Sequence, residues 1–530
     1  MKKILCIVVM CMVAHITQAQ FPQLPLPYDT LLGGNNVDCF TSAQRDPIDS
    51  TLIVCGYTKS AISGNHGDYD GWVVKYDSFG DTLWSVCVGT SGSEFLYSIV
   101  ILPDGNYMAV GSFEPLFNGF LPPGYHGGGD ILLVKIHKEG TIMWQKYIGG
   151  SLGEMANKII LEPSGTSCVI VGETGLSASI DGDFQNCTPH GNMDGFIMSV
   201  DCDNGNVFTV KLFGGFEQDR IKDVTLCGDG CFALTGWTFS NIAGNHSTDN
   251  DMWVLKIDSN HDIMWQLCVG NTGSESGWSI VESSGNLFVG GCTRSWPNMP
   301  GDILSSQLRG DADGIIAKIS STGSLQWVKT YGGTLDDFEL FLTKNPYTND
   351  LIAFGISVSS DMHLSSNSGD EDTWVFVFDQ QDGIITSTIM CGKPGHEAIW
   401  SVVPLAGNHF IGVGEYAPTN YSVPWDGWII STIETFQPHL SSVVTNTQRS
   451  SFGTFTIEPN PTSGMVRISM PPETTTNTVT IYNINGQFLF SEQTTSVIYT
   501  TDLAHLSQGT YIIEVKNDTQ LFRQRVQKLL

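Results

Sequence analysis

The stretch Asp70-Gly-Trp-Val-Val-Lys-Tyr-Asp-Ser-Phe-Gly-Asp-Thr-Leu-Trp84 reads as an apolar strand, a polar turn around Gly80, and a second strand ending in an indole. Its leading acid recurs at Asp130, Asp194, Asp251, Asp313, Asp372 and Asp426, in steps of 60, 64, 57, 62, 59 and 54 residues. Its closing aromatic recurs at Trp144, Phe208, Trp265 and Trp327. Self-similarity at such a period is the mark of a propeller or solenoid. Each repeat also carries a strand running into Gly-x-x-x-x-acid and a hairpin such as Ser98-Ile-Val-Ile-Leu-Pro-Asp-Gly-Asn-Tyr-Met-Ala-Val-Gly111, whose Asp-Gly pair is a turn signal. That makes about four strands per unit, with the length variation confined to the loop before each Asp.

The Asp positions count seven units. The repeat region opens at Tyr28-Asp-Thr-Leu-Leu-Gly-Gly34, which matches the strand around Trp84, and closes at Asp426-Gly-Trp-Ile-Ile430, the strand that normally precedes it. The two fragments complete one unit, so residues 28–34 are expected to pair with 426–431. Closure of this kind removes exposed sheet edges. An open solenoid would need distinct polar caps instead. The expected fold is all-β: a seven-bladed β-propeller over residues 20–436, a Ser/Thr/Asn-rich linker at 437–453, and a small β-sandwich of Ig-like type at 454–530.

Composition supports this and narrows the partners. The chain of 530 residues holds 58 Gly and only 15% charged residues, with no long amphipathic helical pattern. Its 25 basic and 54 acidic residues give a net charge of -29. That argues against nucleic acid and anionic membrane surfaces as partners, since both require basic patches. Lys2 and Lys3, the apolar run Ile4 to Ala14 and Thr17-Gln18-Ala19 form a secretory signal peptide over residues 1–19, with cleavage before Gln20. No later apolar run reaches the ~18 residues of a membrane-spanning helix.

Two resemblances follow from quoted motifs. The element with Asp77, Gly80 and Trp84 resembles the tryptophan-docking repeat of quinoprotein-type propellers, with a turn one residue shorter. That implies an indole covering the neighbouring blade's turn, its N–H on a backbone carbonyl. No cofactor residues match, so no quinone is expected. The repeats also resemble those of bacterial propeller proteins of the cell surface. At the other end, Pro459-Asn460-Pro461 with Gly464, the Ile-Tyr-Asn-Ile-Asn-Gly486 strand and turn, Gly509-Thr-Tyr511 and the basic close match the type A C-terminal sorting domain of the type IX secretion system of Bacteroidota. The resemblance implies export through the periplasm, contact with the secretion machinery and its sortase, and release or attachment at the outer-membrane surface.

The sharpest candidate site is an acid five residues after a Gly in every unit: Asp38, Glu94, Glu154, Asp219, Glu275, Asp337 and Glu397. Fixed spacing puts these carboxylates on one ring. As turn residues they accept backbone N–H bonds; as a ring they could hold a cation. Oxygen-rich loops such as Gly64-Asn-His-Gly-Asp-Tyr-Asp70 and Gly244-Asn-His-Ser-Thr-Asp-Asn-Asp251 suit Ca²⁺. The Asp heading each apolar strand is expected to cap the turn before it. His66, His126, His190, His246 and His363 have no zinc-ligand spacing. Of thirteen cysteines, Cys6 and Cys11 lie in the signal peptide. An odd number remains, with Cys227–Cys231 and Cys187–Cys202 as candidate bridges, and Cys87 and Cys268 as core residues. No nucleophile elbow, P-loop or other catalytic motif is present. The residues therefore leave three readings: a binding module for a glycan, peptide or surface protein; a polysaccharide-directed enzyme on the propeller face; or a structural, adhesive surface component.

Overall fold

The apolar run heading each repeat is buried along its whole length, as in Asp70–Tyr76 and Asp130–Ile136. A strand buried on both faces must lie inside a sheet covered on both sides. The computed structural model describes residues 28–432 apart from 47–50, 63, 78–79, 117–120, 176–180, 246–248, 295–300, 304–307, 365–366, 368–369, 407–408 and 419–423. In the C-terminal part it describes 456–458, 465–469, 477–483, 488–496, 498–516 and 521–528. The expected signal peptide, the linker 437–453, His246, and Pro459, Asn460, Pro461, Gly464 and Gly486 lie outside these residues.

The first full sheet is β2 (Asp38–Arg45), β3 (Leu52–Thr58), β4 (Asp70–Tyr76) and β5 (Thr82–Val88), antiparallel in that order. Five more four-stranded sheets repeat this order through Cys391. The seventh holds His396–Pro404, Phe410–Ala417 and Asp426–Ser431. Its outer strand is β1 (Tyr28–Leu32), from the other end of the region. The register runs from Tyr28↔Ser431 to Leu32↔Gly427. The fold is therefore a closed seven-bladed propeller. Pairing stops at Leu32 rather than Gly34 because Gly33 turns at φ 157° and the Gly34 N–H is directed at the Asp38 carboxylate, 2.8 Å away.

The cores lie between blades rather than within them. Seven apolar clusters occupy the seven blade–blade contacts. The one that seals the ring joins Phe40, Val54 and Trp72 of the first blade to Val403, Val413 and Ile429 of the seventh. Outer strands alternate exposed and covered residues, as Thr82–Val88 does. Their outer edge faces water, and the seven inner strands line a central channel.

The C-terminal residues form two further sheets, one of three strands and one of four, around a core that includes Val466, Ile468, Val479, Ile481 and Ile513. Tyr511 packs into that core and donates its hydroxyl to Ser507 O at 2.7 Å, while Gly509 opens the strand Gly509–Lys516. Among the described residues no helix is long and apolar enough to cross a membrane.

Candidate functional site

Both acidic columns lie where one blade passes into the next. The N–H of each inner-strand acid donates to the carbonyl just before the previous blade's Asp, as in Glu94 N to Tyr69 O at 2.8 Å and Asp38 N to Trp425 O at 2.7 Å. In six of the seven blades the acid's carboxylate accepts from the backbone N–H four residues earlier: Gly34, Thr90, Gly150, Gly215, Asn271 and Gly333 at 2.6–2.9 Å. The neighbouring Asp does the same, with His66, His126, His190 and Arg309 N–H groups on Asp70, Asp130, Asp194 and Asp313 at 2.8–3.0 Å. The glycine five before each acid leaves room for this pair. A Cβ on Gly214 would lie 2.5 Å from Asp194 and 2.7 Å from Asp219, and one on Gly270 equally close to Asp251 and Glu275. These seven pairs latch the blades.

Burial and the facing carboxylate push these acids up, Glu94 to about 7, Asp313 to about 6 and Glu397 to about 9. No group of three or more His, Cys, Asp or Glu that could hold a metal ion is found among the described residues. Glu94→Ala, which removes the acceptor of the half-buried Thr90 N–H, is expected to cost about 1 kcal/mol. Ca²⁺ and EDTA are expected to leave the melting temperatures of parent and variant unchanged. A Ca²⁺-dependent rise lost in the variant would identify a cation site.

The docking indoles behave as the resemblance implies at three positions. Trp84, Trp144 and Trp265 donate to Lys138 O, Asp203 O and Ser321 O of the next blade at 3.0, 2.8 and 3.1 Å. Their rings lie where a Cβ on Gly140, Gly205 or Gly323 would sit, and all three glycines have positive φ. Trp327 departs from the pattern. Its N–H has no partner among the described residues, and Lys318 Nζ takes Gln380 O at 2.8 Å instead. The cysteine expectations need correction too. All eleven described cysteines are free thiols. Cys227 points into the core between the fourth and fifth blades, while Cys231 Sγ lies 3.5 Å from Met264 Sδ. Cys202 approaches Cys168 at 3.3 Å rather than Cys187, which turns to Val210 O. Cys87 and Cys268 are core residues.

The repeat breaks down inside the channel. Each inner strand carries a β-bulge near its third residue. The cause is a glycine in the strand beside it. A Cβ on Gly56, Gly111, Gly172, Gly236, Gly291, Gly355 or Gly414 would sit 1.8–2.5 Å from an inner-strand carbonyl oxygen. Bulges re-aim side chains, and in six blades they present Thr41, Tyr97, Asn157, Lys222, Trp278 and Trp400; in the sixth blade the same position is Leu340, buried in the interblade core, and Phe341 beside it faces the channel. Those six and Phe341 line a cavity of about 1070 Å³ drawn from all seven inner strands. The residue that follows each of those glycines forms a second, equally irregular layer, with Tyr57, Glu173, Trp237 and Glu415 among its members.

One side of this cavity is polar. Glu173, nearly fully buried, accepts from Asn157 Nδ2 at 2.6 Å, Lys222 Nζ at 3.1 Å and an Arg220 guanidinium nitrogen at 3.2 Å. The Lys222 ammonium lies 5.0 Å from the Trp237 ring and 5.7 Å from that of Trp278, within cation–π range. Burial pulls its pKa down, against the raising effect of Glu173. Lys158 sits 3.6 Å from Asp223, which is itself held by the Ile280 N–H at 2.9 Å. The opposite side is aromatic. Phe341 contacts Trp278, Phe354 and Trp400 at centroid distances of 6.1, 5.6 and 6.0 Å. Such a site can stack a flat, partly apolar ligand on one wall and hydrogen-bond it from the other. None of these residues stood out in the sequence, yet one signal marks them. The third position after the acid varies from Thr41 to Trp400 while the Gly and the acid before it repeat, and Phe341 stands one position later.

Residues 456–529 match the family model described as a secretion system C-terminal sorting domain. The protein is thus type IX secretion cargo, which meets that machinery and is delivered to the cell surface or the extracellular space. No curated protein matches the sequence. Among solved structures the chain is similar to Kuenenia stuttgartiensis hydrazine synthase, at 13% identity over 74% of this chain and 95% of that one, TM-score 0.43. It is also similar to the polysaccharide lyase Uly1, at 10% identity over 75% and 89%, TM-score 0.42. A fungal alcohol oxidase of the AA5 family matches at 10% identity over 96% and 99%, TM-score 0.39. Likeness this distant carries no argument about activity.

Proposed function

We propose that this exported propeller is an extracellular carbohydrate-binding module whose ligand enters the central channel. One observation carries the reading: sevenfold regularity holds in the core and in the backbone bonds of the latches, and lapses at the residues that line the cavity. Structural columns repeat because each blade needs them; a ligand, which lacks sevenfold symmetry, needs different groups from different blades. Trp278, Phe341 and Trp400 supply rings for sugar C–H faces, and Asn157 and Lys222 supply donors for hydroxyls. At about 1070 Å³ the cavity is at the upper end of ordinary ligand sites. The sorting domain delivers the module, and its removal by the sortase leaves the propeller at the surface. The polar cluster of the third and fourth blades, around Glu173 and Lys222, favours as second reading an enzyme acting on the same polysaccharide.

The test is a polysaccharide panel probed with the propeller and with a Trp278→Ala, Phe341→Ala double variant. Binding to at least one polysaccharide, lost in a variant that still melts cooperatively, is expected. Equal binding by both proteins, or none by either, would contradict the proposal. Progressive shortening of the bound polysaccharide would establish the enzyme.

A further inference from the structure

The channel differs in charge from the rest of the molecule. The chain carries 25 basic residues against 54 acidic ones. Among the described residues the cavity wall reverses that balance, with Arg45, Lys158, Lys222 and Lys344 against Asp46 and Asp223. Two cations, Arg220 and Lys222, share the single carboxylate of Glu173 and leave that cluster one positive charge in excess. Lys344 is engaged by a backbone carbonyl, that of Glu282 at 3.3 Å, so its charge is not neutralised there. Glu339, half-exposed, acts on Lys222 from the sixth blade, and burial raises its carboxyl and that of Glu415 above the ordinary range.

A concave site of one sign inside a body of the other focuses its field on what enters the channel. Aromatic rings beside the cations give sugar rings a surface to stack on. Long nucleic acids would meet the acidic exterior first. Resting on the carbohydrate reading above, we infer that the channel ligand is an acidic polysaccharide, bearing carboxylate or sulfate groups, with Lys222, Arg45 and Lys344 reading its charge.

The experiment measures binding of three defined oligosaccharides to the full propeller: a polygalacturonate oligomer, its carboxyl-reduced neutral counterpart, and a sulfated galactan oligomer. At least one acidic oligomer is expected to bind tenfold or more tightly than the neutral one, and to weaken severalfold between 50 and 200 mM salt, as exposed charge pairing does. The carboxylated and sulfated arms tell which anion is preferred. Lys222→Gln is expected to remove most of that preference. Because Lys222 is buried and its variant could fail to fold, Arg45→Gln and Lys344→Gln, both partly exposed, provide the independent check and should each lower acidic binding about threefold. Neutral and acidic oligomers bound equally, both lost in the Trp278→Ala, Phe341→Ala variant, would overturn the charge inference and leave the carbohydrate reading standing. Binding of none of the three would overturn both. Binding of a poly-glutamate peptide in their place, lost in the same variants, would reassign the channel to acidic proteins.

Discussion

Deleting Tyr28–Leu32 is expected to abolish the single cooperative melt of the propeller. The strand supplies the outer edge of the seventh blade, paired over five residues with Gly427–Ser431. Its Asp29 carboxylate also takes the Trp428 indole N–H at 2.8 Å and the Lys393 ammonium at 2.5 Å. Deletion removes both contacts and uncovers the buried Trp428 ring, besides removing backbone bonds worth about 0.5–1.5 kcal/mol each. The sum, on the order of 5 kcal/mol, matches much of the stability of an ordinary domain, about 5–15 kcal/mol. It also uncovers a sheet edge that can pair between molecules. Asp29→Ala should give a graded version, lowering stability by about 1–3 kcal/mol with cooperativity kept. A deletion variant that melts like the parent would show that the ring does not depend on its closing strand.

Stability is expected to rise as pH falls from 8 to 6. The latch carboxyls are raised in the folded chain above their ordinary values, Glu94 from 4.5 to about 7 and Glu397 from 4.5 to about 9, chiefly by burial and secondarily by the facing Asp70 and Asp372. Between the two values the folded chain binds more protons than the unfolded one, so stability decreases with increasing pH. The contribution is complete below about 4.5 and is lost as pH climbs through about 7 for Glu94 and about 9 for Glu397. His363, lowered to about 4 by burial, acts in the opposite direction once pH drops below its ordinary 6.5, so the rise should slacken below that point. Over the window from 8 to 6 the gain should be on the order of 3 kcal/mol, at about 1.4 kcal/mol per proton per pH unit. Denaturant melts across that window check it, with Glu94→Gln and Glu397→Gln each flattening the profile. A flat profile in the parent, or one falling toward pH 6, would contradict the buried latch.

How far the sequence could be read depended on whether a feature repeats. Asp70 and its six counterparts, Trp84, and the split unit at Tyr28 and Asp426 all recur, so blade number and closure were legible. The acids at Asp38 and Glu94 also recur, and there regularity marks a hydrogen-bonded turn. The channel residues escaped notice because their column is irregular. Thr41, Tyr97, Asn157, Lys222, Trp278 and Trp400 share a position but no chemistry, and a search for self-similarity passes over them. Glu173 meets Lys222 only through the packing of one blade on the next, which no spacing in the chain reveals. Cysteines failed for a related reason. The close spacing of Cys227 and Cys231 suggested a bridge across a hairpin, but one thiol enters the interblade core and the other faces Met264. The sulfurs that do approach, Cys168 and Cys202, are separated by a whole strand pair and loop.

The most direct measurement of the account's central claim, that the ligand site is the irregular channel and not the regular latches or their loops, is a hydrogen-exchange footprint of the propeller with a bound acidic oligosaccharide. Slowed exchange is expected in peptides covering the inner strands Asp219–Leu226 and Glu275–Ser283, which carry Lys222 and Trp278. Protection confined to the loops that precede Asp70, Asp130 or Asp251, with the inner strands unchanged, would contradict it.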